Sequence, residues 1–347
     1  MHSILPVKVA IIGCGLIGTQ WDAHSISTKY SLTHAAGFSR HPQAKLVAVC
    51  DQDIRKAQRA AQSWGVAHTY TDPQIMFAAG PIDIAIVASS STARWDVIDP
   101  ALASGVKVLV IEKPLSISID ESKNIASAVN TSNVKSLVNY SRRWDPSMRH
   151  LQAQIAAGDF GDIQRLVGMY GKGIANNGSH MIDLTALLCN ARPIRARALG
   201  SPLAASESDW SKSMDLSLDA QFEFMDASGK SFQLTMLGTD QNAFTCFELR
   251  VFGTRVIVDI ALGGRKITLT PTCNDPQYSG YTIPGMPESQ ESRALEAMDL
   301  MVDEAVGLAR GSREQSSCDV NVALQTAMAI DALLCSAREH GRWVEIA

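Results

Sequence analysis

The sequence predicts an α/β protein whose first half is a doubly wound parallel sheet of the Rossmann type. Two observations carry this. The glycine pattern Gly13-Cys14-Gly15-Leu16-Ile17-Gly18 follows directly on the apolar run Val7 to Ile12. Short β-branched runs then recur, separated by helix-like stretches, which is the signature of parallel strands with crossover helices. A third observation concerns the second half. In "LSLDAQFEF", Leu216 to Phe224, apolar and polar residues alternate with period two, as in a half-buried strand.

Taken in order, Val7 to Ile12 reads as the first strand. In the glycine pattern the first glycine makes the turn, the second admits a pyrophosphate close to backbone, and the third permits tight packing. The amides of Leu16 and Ile17 would then face phosphate. An ordinary glycine turn is the alternative. "TQWDAHSISTKYSL", residues 19 to 32, interrupts the usual passage into a helix; it reads as an inserted loop or as a distorted first helix. "AKLVAVCD" is a second buried strand ending at Asp51. A carboxylate there can accept hydrogen bonds from both ribose hydroxyls and repels a 2′-phosphate, favouring NAD over NADP, although Arg55 is near. Asp51 could instead cap the helix "IRKAQRAA".

"IDIAIVASSS" supplies the next strand. Ser89 and Ser90 at its end, with Arg94 beyond, are candidate cofactor contacts, because ligands of such sheets bind at the carboxyl ends of the strands. "GVKVLVIEKP" gives another strand, and Glu112 and Lys113 stand at its carboxyl end, where a nicotinamide would lie. Pro114 disfavours a helical conformation at Lys113. A strand-ending ion pair is the alternative. Leu137 to Tyr140 closes this sheet, and "SRRWDP" leads into a second domain; Arg143 could hold an anionic group of a substrate, while at least one of Arg142 and Arg143 is expected to be a solvated surface residue.

Composition bounds the function. With 347 residues, 46% of them hydrophobic, there is material for a large core and two domains. A formal charge of −4 gives no electrostatic reason to expect nucleic acid or an anionic membrane. Seven scattered cysteines with no CxxC suggest reduced thiols in a cytoplasmic protein, with neither a disulfide framework nor a metal site. No apolar run is expected to be long enough to span a bilayer.

In "GKGIANNGSHMIDLTALLC", Met181, Leu184, Leu187 and Leu188 repeat at helical spacing, which puts His180 in the first turn. A helix N-terminus disfavours imidazolium, so His180 should stay neutral and accept a proton. Asp183, on the same face, could orient its ring. A capping or core-facing histidine is the alternative.

Together the glycine pattern, "LVAVCD", "GVKVLVIEKPL", "NYSRRWDP", "GSHMIDL" and the tail "ALQTAMAIDALLCSAREHGRWVEI" resemble the Gfo/Idh/MocA family of oxidoreductases, in that family's order. The resemblance implies a Rossmann domain over residues 1–141. It implies a C-terminal α/β domain over 142–347, with a large, mostly antiparallel open sheet whose outer face forms homodimers or homotetramers. It implies NAD, or NADP, and hydride transfer to or from a hydroxyl carbon of a sugar-like substrate. Lys113 matches the family's active-site lysine. Two departures stand out: Asn176 replaces an aspartate four residues before His180, and Arg94 stands where histidine is common. An amide can bond a hydroxyl but cannot take a proton.

The expected mechanism has Lys113 and His180 acting on one oxygen, with Asn176 contacting the substrate; which of the two takes the proton stays open. The motif around His180 resembles a branch acting on nucleotide sugars of surface polysaccharides. A cyclitol or free-hexose dehydrogenase, or a regulatory protein that binds NAD(P) without turnover, are the alternatives.

Overall fold

A computed structural model describes residues 5–23, 29–200, 215–240 and 242–346. It divides into two units. One comprises residues 1–145 and 295–324, the other 146–294 and 325–347.

The first unit is built on six parallel strands: β1 (Val7–Ile12), β2 (Ala44–Cys50), β3 (His68–Tyr70), β4 (Ile84–Val87), β5 (Val108–Ile111) and β6 (Lys135–Val138). Their order is β3-β2-β1-β4-β5-β6, so the sheet reverses direction of growth between β1 and β4. β4 and β5 are buried along their whole length, which explains their unbroken Val/Ile/Leu/Ala runs. Helices α1 (His34–Arg40), α2 (Ile54–Trp64), α3 (Pro73–Ala78), α4 (Trp95–Ala103) and α5 (Ile119–Thr131) connect them. Asp53, Asp72 and Ser118 cap α2, α3 and α5 by accepting from first-turn amides.

A single cut at 141/142 does not describe this unit. The helix Ala297–Arg310 returns to it because Met301, Val302, Ala305, Val306 and Leu308 carry an apolar face that is 0–3% exposed there. Gly37 of α1 fits against that face: a Cβ on it would lie 2.7 Å from a Val302 methyl.

Residues 16–20 wind into a π-helical turn, and α1 begins only at His34. His24, within the expected insertion, lies outside the described residues. The ends of the insertion meet at one buried carboxylate. Asp22 accepts from Leu32 N at 2.7 Å, Thr33 N at 3.3 Å and Thr33 Oγ1. Thr33 Oγ1 in turn accepts from Ala36 N, capping α1.

The second unit is a mostly antiparallel sheet of ten strands with helices α6 (Pro146–Ala156) and α7 (Ser179–Cys189). Its strands are β7 (Ile163–Tyr170), β8 (Ala191–Ala198), β9 (Ala220–Asp226), β10 (Ser231–Gly238), β11 (Phe247–Gly253), β12 (Val256–Ala261), β13 (Lys266–Asn274), β14 (Thr282–Pro284), β15 (Glu288–Gln290) and β16 (Val344–Glu345). The order is β14-β13-β12-β11-β7-β10-β9-β8-β16, β15 pairs with β13, and β7 and β10 pair in parallel. One face packs Leu166, Phe222, Phe224, Leu234 and Leu249 into the core with Leu184 and Leu188. On the other, Arg195 bonds Glu223, Arg197 bonds Gln221, and Gln221 bonds Gln233, a cross-strand polar ladder.

The period-two run at Leu216 to Phe224 becomes strand only from Ala220. The backbone before it is used otherwise: Leu216 O accepts from Ile174 N at 2.8 Å, and the Tyr170 hydroxyl bridges the N–H and C=O of Leu218.

The helix Val320–Arg338, with 19 residues, is long and apolar enough to cross a bilayer, contrary to the expectation from sequence. Thr326, Ala329, Leu333 and Ser336 form a buried stripe of 0–3% exposure along it, so its apolar character is that of a core helix.

Candidate active site

The carboxyl edge of the six-stranded sheet is set by a row of backbone hydrogen bonds. Gly13 N donates to Cys50 O, Ala88 N to Ile12 O, Glu112 N to Val87 O and Asn139 N to Ile111 O, at 2.8–3.0 Å. These rungs put Gly13, Asp51, Ser89, Glu112 and Lys113 along one edge.

The three glycines have three different reasons. Gly13 has φ +103°, and a Cβ there would sit 2.4 Å from Ala88 backbone. A Cβ on Gly18 would sit 2.2 Å from the Gly13 carbonyl oxygen. Around Gly15 nothing lies within 4 Å, leaving backbone open to a ligand. Gln20 Nε2 donates to Cys14 O at 2.6 Å and Trp64 Nε1 to Thr19 O at 2.9 Å, which fixes the turn carrying Leu16 and Ile17.

Asp51 does not cap α2; Asp53 does. Asp51 instead ties two loops together, its Oδ2 accepting from Cys14 N at 2.8 Å and its Oδ1 from Asp53 N at 2.9 Å. Arg55 is engaged with Asp53 through Nε and Nη2. A cavity of about 640 Å³ is lined by Gly13, Asp51, Lys56, Ser89 and Ser90 among others. Ser89 Oγ is buried and has no hydrogen-bond partner among the described residues. An acceptor carboxylate and an unpartnered hydroxyl around one cavity, with the glycine loop on the same sheet edge, fit a dinucleotide. Arg94 does not line that cavity. It is 2% exposed at the start of α4, and its Nε and Nη1 have no partner among the described residues. Burial pulls its guanidinium down to about 10, with Glu112, Tyr140 and Glu121 acting the other way.

At the end of β5, Lys113 is half-buried and the Lys113–Pro114 peptide is cis. Glu112 is buried. Its Oε1 accepts from His34 Nε2 and Asn139 Nδ2, both at 2.7 Å. Burial raises its carboxyl pKa, but the hydrogen bond and charge of His34, the hydrogen bond from Asn139 and the charge of Arg94 outweigh it, and the net shift is downward from 4.5. Folding therefore gains from ionised Glu112 above about pH 4.5, and that gain is lost as pH falls through the lowered native value. Urea midpoints at neutral pH and at about pH 3 should differ less in Glu112→Gln than in the parent chain; equal acid loss in both removes Glu112 from the linkage.

In the second unit a π-helical turn, Gly173–Gly178, runs straight into α7, and Gly178 is itself helical. The helical run thus begins well before His180. Its positive end meets Asp215, which accepts from Ala175 N at 2.8 Å and Asn176 N at 2.6 Å. The sequence-based case for a neutral His180, its place at a helix N-terminus, is therefore replaced by a position inside the run. His180 is half-exposed, Asn176 exposed, and Asp183 buried one turn further on. Arg143 belongs to the first unit and is buried, and its Nη1 donates to Ser317 O at 3.3 Å.

Sequence reading missed His34, Asn139 and Asp215. Asn139 could have been found from its place at a strand's carboxyl end. His34 and Asp215 act across long sequence separations, which no local pattern marks. Among the described residues no group of three or more His, Cys, Asp or Glu could hold a metal ion.

Residues 7–140 match the model of the Gfo/Idh/MocA oxidoreductase family, NAD-binding Rossmann fold. The chain is 30% identical over 155 residues to scyllo-inositol 2-dehydrogenase (NAD(+)) of Bacillus subtilis (strain 168), covering 45% of this chain and 42% of that protein. It is 26% identical over 191 residues to D-glucoside 3-dehydrogenase of Escherichia coli (strain K12), covering 52% and 51%. These matches span about half the length of the curated relatives or less. Levoglucosan dehydrogenase, solved with NADH and levoglucosan, shares the fold at a TM-score of 0.74 and 17% identity, over 98% of this chain and 99% of that one. Residues 7–140 therefore match the NAD-binding Rossmann fold of the Gfo/Idh/MocA oxidoreductases, and the chain as a whole shares the fold of solved oxidoreductases.

Proposed function

We propose that the chain is an NAD-dependent dehydrogenase acting on a secondary hydroxyl of a sugar or cyclitol. The observation that carries this is Lys113 beside a buried carboxylate at the end of β5, on the sheet edge that also presents the glycine loop and Asp51. Relatives named for inositol and for D-glucosides support a polyhydroxylated ring as substrate.

Gly13, Gly15, Gly18 and the amides of Leu16 and Ile17 would hold the pyrophosphate, Asp51 the adenosine ribose, and Ser89 and Ser90 the wall between them. When bound, the nicotinamide supplies the hydride acceptor. Lys113, as ammonium, stabilises negative charge developing on the substrate oxygen. His180 takes the hydroxyl proton, because hydride loss without proton loss leaves an unfavourable protonated carbonyl. Asn176 hydrogen-bonds a neighbouring hydroxyl, and Asp183 and Arg143 hold their surroundings.

Mixing the chain with NAD and a panel of inositols, hexoses, glucosides and UDP-sugars, and following reduced nicotinamide by absorbance, should give turnover with at least one ring polyol. Nucleotide binding with no reduction of any candidate rules out the dehydrogenase. His180→Ala should lower kcat by roughly 10²–10⁴-fold, the usual size of a lost general base; a rate near the parent's removes His180 from the chemistry. Asp51→Ala should weaken NADH binding about tenfold and narrow the preference over NADPH, read by fluorescence titration, since hydrogen bonds to a charged acceptor contribute about 1.5–3 kcal/mol. Unchanged affinities for both nucleotides would remove Asp51 from the ribose site.

A further inference from the structure

His34 has no role in the steps above, yet it is fully buried against the carboxylate that adjoins Lys113. Glu112 Oε1 receives two donors from the elements on either side of it, His34 Nε2 and Asn139 Nδ2. An amide nitrogen can only donate, so Oε1 is an acceptor and His34 Nε2 carries a hydrogen. His34 Nδ1 is buried with no partner among the described residues. A proton there would place an unpaired N–H in the interior. The charge of Arg94 also acts on Glu112. Glu121 and Tyr140 are the other titratable groups that act on Arg94. The cluster is therefore one carboxylate, one guanidinium and an imidazole whose Nε2 is held by Glu112.

The position of His34 is set from the other side. It is the first residue of α1, directly after Thr33. Thr33 N and Oγ1 and Leu32 N all donate to Asp22, which is 1% exposed. Asp22 lies just past Trp21, which ends the π-helical turn of the glycine loop. A continuous line of hydrogen bonds and backbone thus runs Asp22, Thr33, His34, Glu112, Lys113.

We propose that His34 is a positioning residue for the reaction: through Glu112 it fixes the strand end that presents Lys113, and the base of the inserted segment fixes His34 in turn. This rests on the dehydrogenase reading given above. Glu112 and Lys113 are adjacent in the chain, so their Cα atoms are about 3.8 Å apart. A carboxylate that swings or takes a proton changes the charge felt by the ammonium.

The test compares His34→Leu, which removes the donor, with His34→Gln, whose amide can reach Glu112 from about the place of Nε2. The ammonium of Lys113 is titrated by NMR of the 13C-methylated chain, its signal assigned with Lys113→Arg. Kinetics use whichever polyol the parent turns over. His34→Leu is expected to move the Lys113 titration by about half a pH unit or more and to lower kcat roughly ten- to a hundredfold, the size of one lost hydrogen bond to a charged group. NADH affinity should stay within about twofold, since His34 does not line the dinucleotide cavity. His34→Gln should recover most of both effects. Should His34→Leu fail to fold, His34→Asn, whose amide is too short to reach, takes its place. A folded variant that only melts earlier, with the Lys113 titration and kcat unchanged, overturns the proposal and leaves His34 structural. If no polyol is turned over, the dehydrogenase reading fails, and the Lys113 titration alone decides whether His34 governs that amine.

Discussion

Replacing Lys113 with alanine is expected to lower kcat by roughly 10²–10³-fold, the effect of removing one preorganised charge from a developing oxyanion. NADH affinity should stay within about twofold, because Lys113 does not line the cavity bounded by Asp51, Ser89 and Ser90. The size follows from the placement. Lys113 is half-buried, beside a buried Glu112 held by two hydrogen bonds, at the end of a strand whose every side chain is buried. An ammonium in such surroundings acts at a lower effective dielectric than one in water. Its carbon stem cannot be replaced by a solvent cation in the same place, so alanine leaves the oxygen unsupported. Steady-state rates with the best polyol, and NADH titration, separate the two quantities. A variant that keeps a tenth or more of the parent kcat makes Lys113 a bystander. One that loses NADH binding in proportion to rate makes it a cofactor ligand.

Two glycine variants should fail in opposite ways. Gly13→Ala is expected to destabilise the first unit by about 3 kcal/mol or more, from a left-handed backbone that alanine rarely adopts together with a methyl driven into neighbouring backbone. Both causes are visible: φ is +103°, and the added Cβ would stand 2.4 Å from the Ala88 carbonyl and 2.6 Å from Ser89 N. The obstacle belongs to the adjoining strand end, so it can move only if the sheet opens. Gly15→Ala meets nothing within 4 Å and has φ −83°, so its melting temperature should match the parent's. Its methyl would occupy the approach left for a pyrophosphate, and NADH affinity should fall by at least about tenfold. Melts and NADH titrations of the two proteins check this. A Gly15→Ala protein that binds normally would place the phosphates elsewhere, and a Gly13→Ala protein that melts like the parent would contradict the backbone geometry.

Much of the first sheet was legible because its rules are local. Val7 to Ile12 is bounded by its sequence pattern, and the glycine spacing states where the strand ends. The positional rule for strand ends led to Asp51, Ser89, Glu112 and Lys113 without any side-chain contact being known. What could not be read depends on partners far along the chain. The Ala297–Arg310 helix has an ordinary amphipathic face, and nothing in it says which core it joins. His180 looked like a first-turn residue because the preceding "GIANNG" does not resemble a helix, yet Asp215 satisfies the amides that would otherwise end the run there. Leu216 and Leu218 alternate as a strand should, but their backbone bonds the turn before α7 and the hydroxyl of Tyr170. Arg94 and His34 came to sit in one charge cluster through folding, and no spacing announces that.

Asp22 accepts from the amides of Leu32 and Thr33, and Ser31 N donates to Asp299, so the two described ends of residues 22–32 are tied to the first unit. Loop-closure entropy grows only slowly with length, by about 0.6 kcal/mol for each doubling. A change of chain length between those ends is therefore expected to cost the first unit little stability, provided the bonds to Asp22 stay in place.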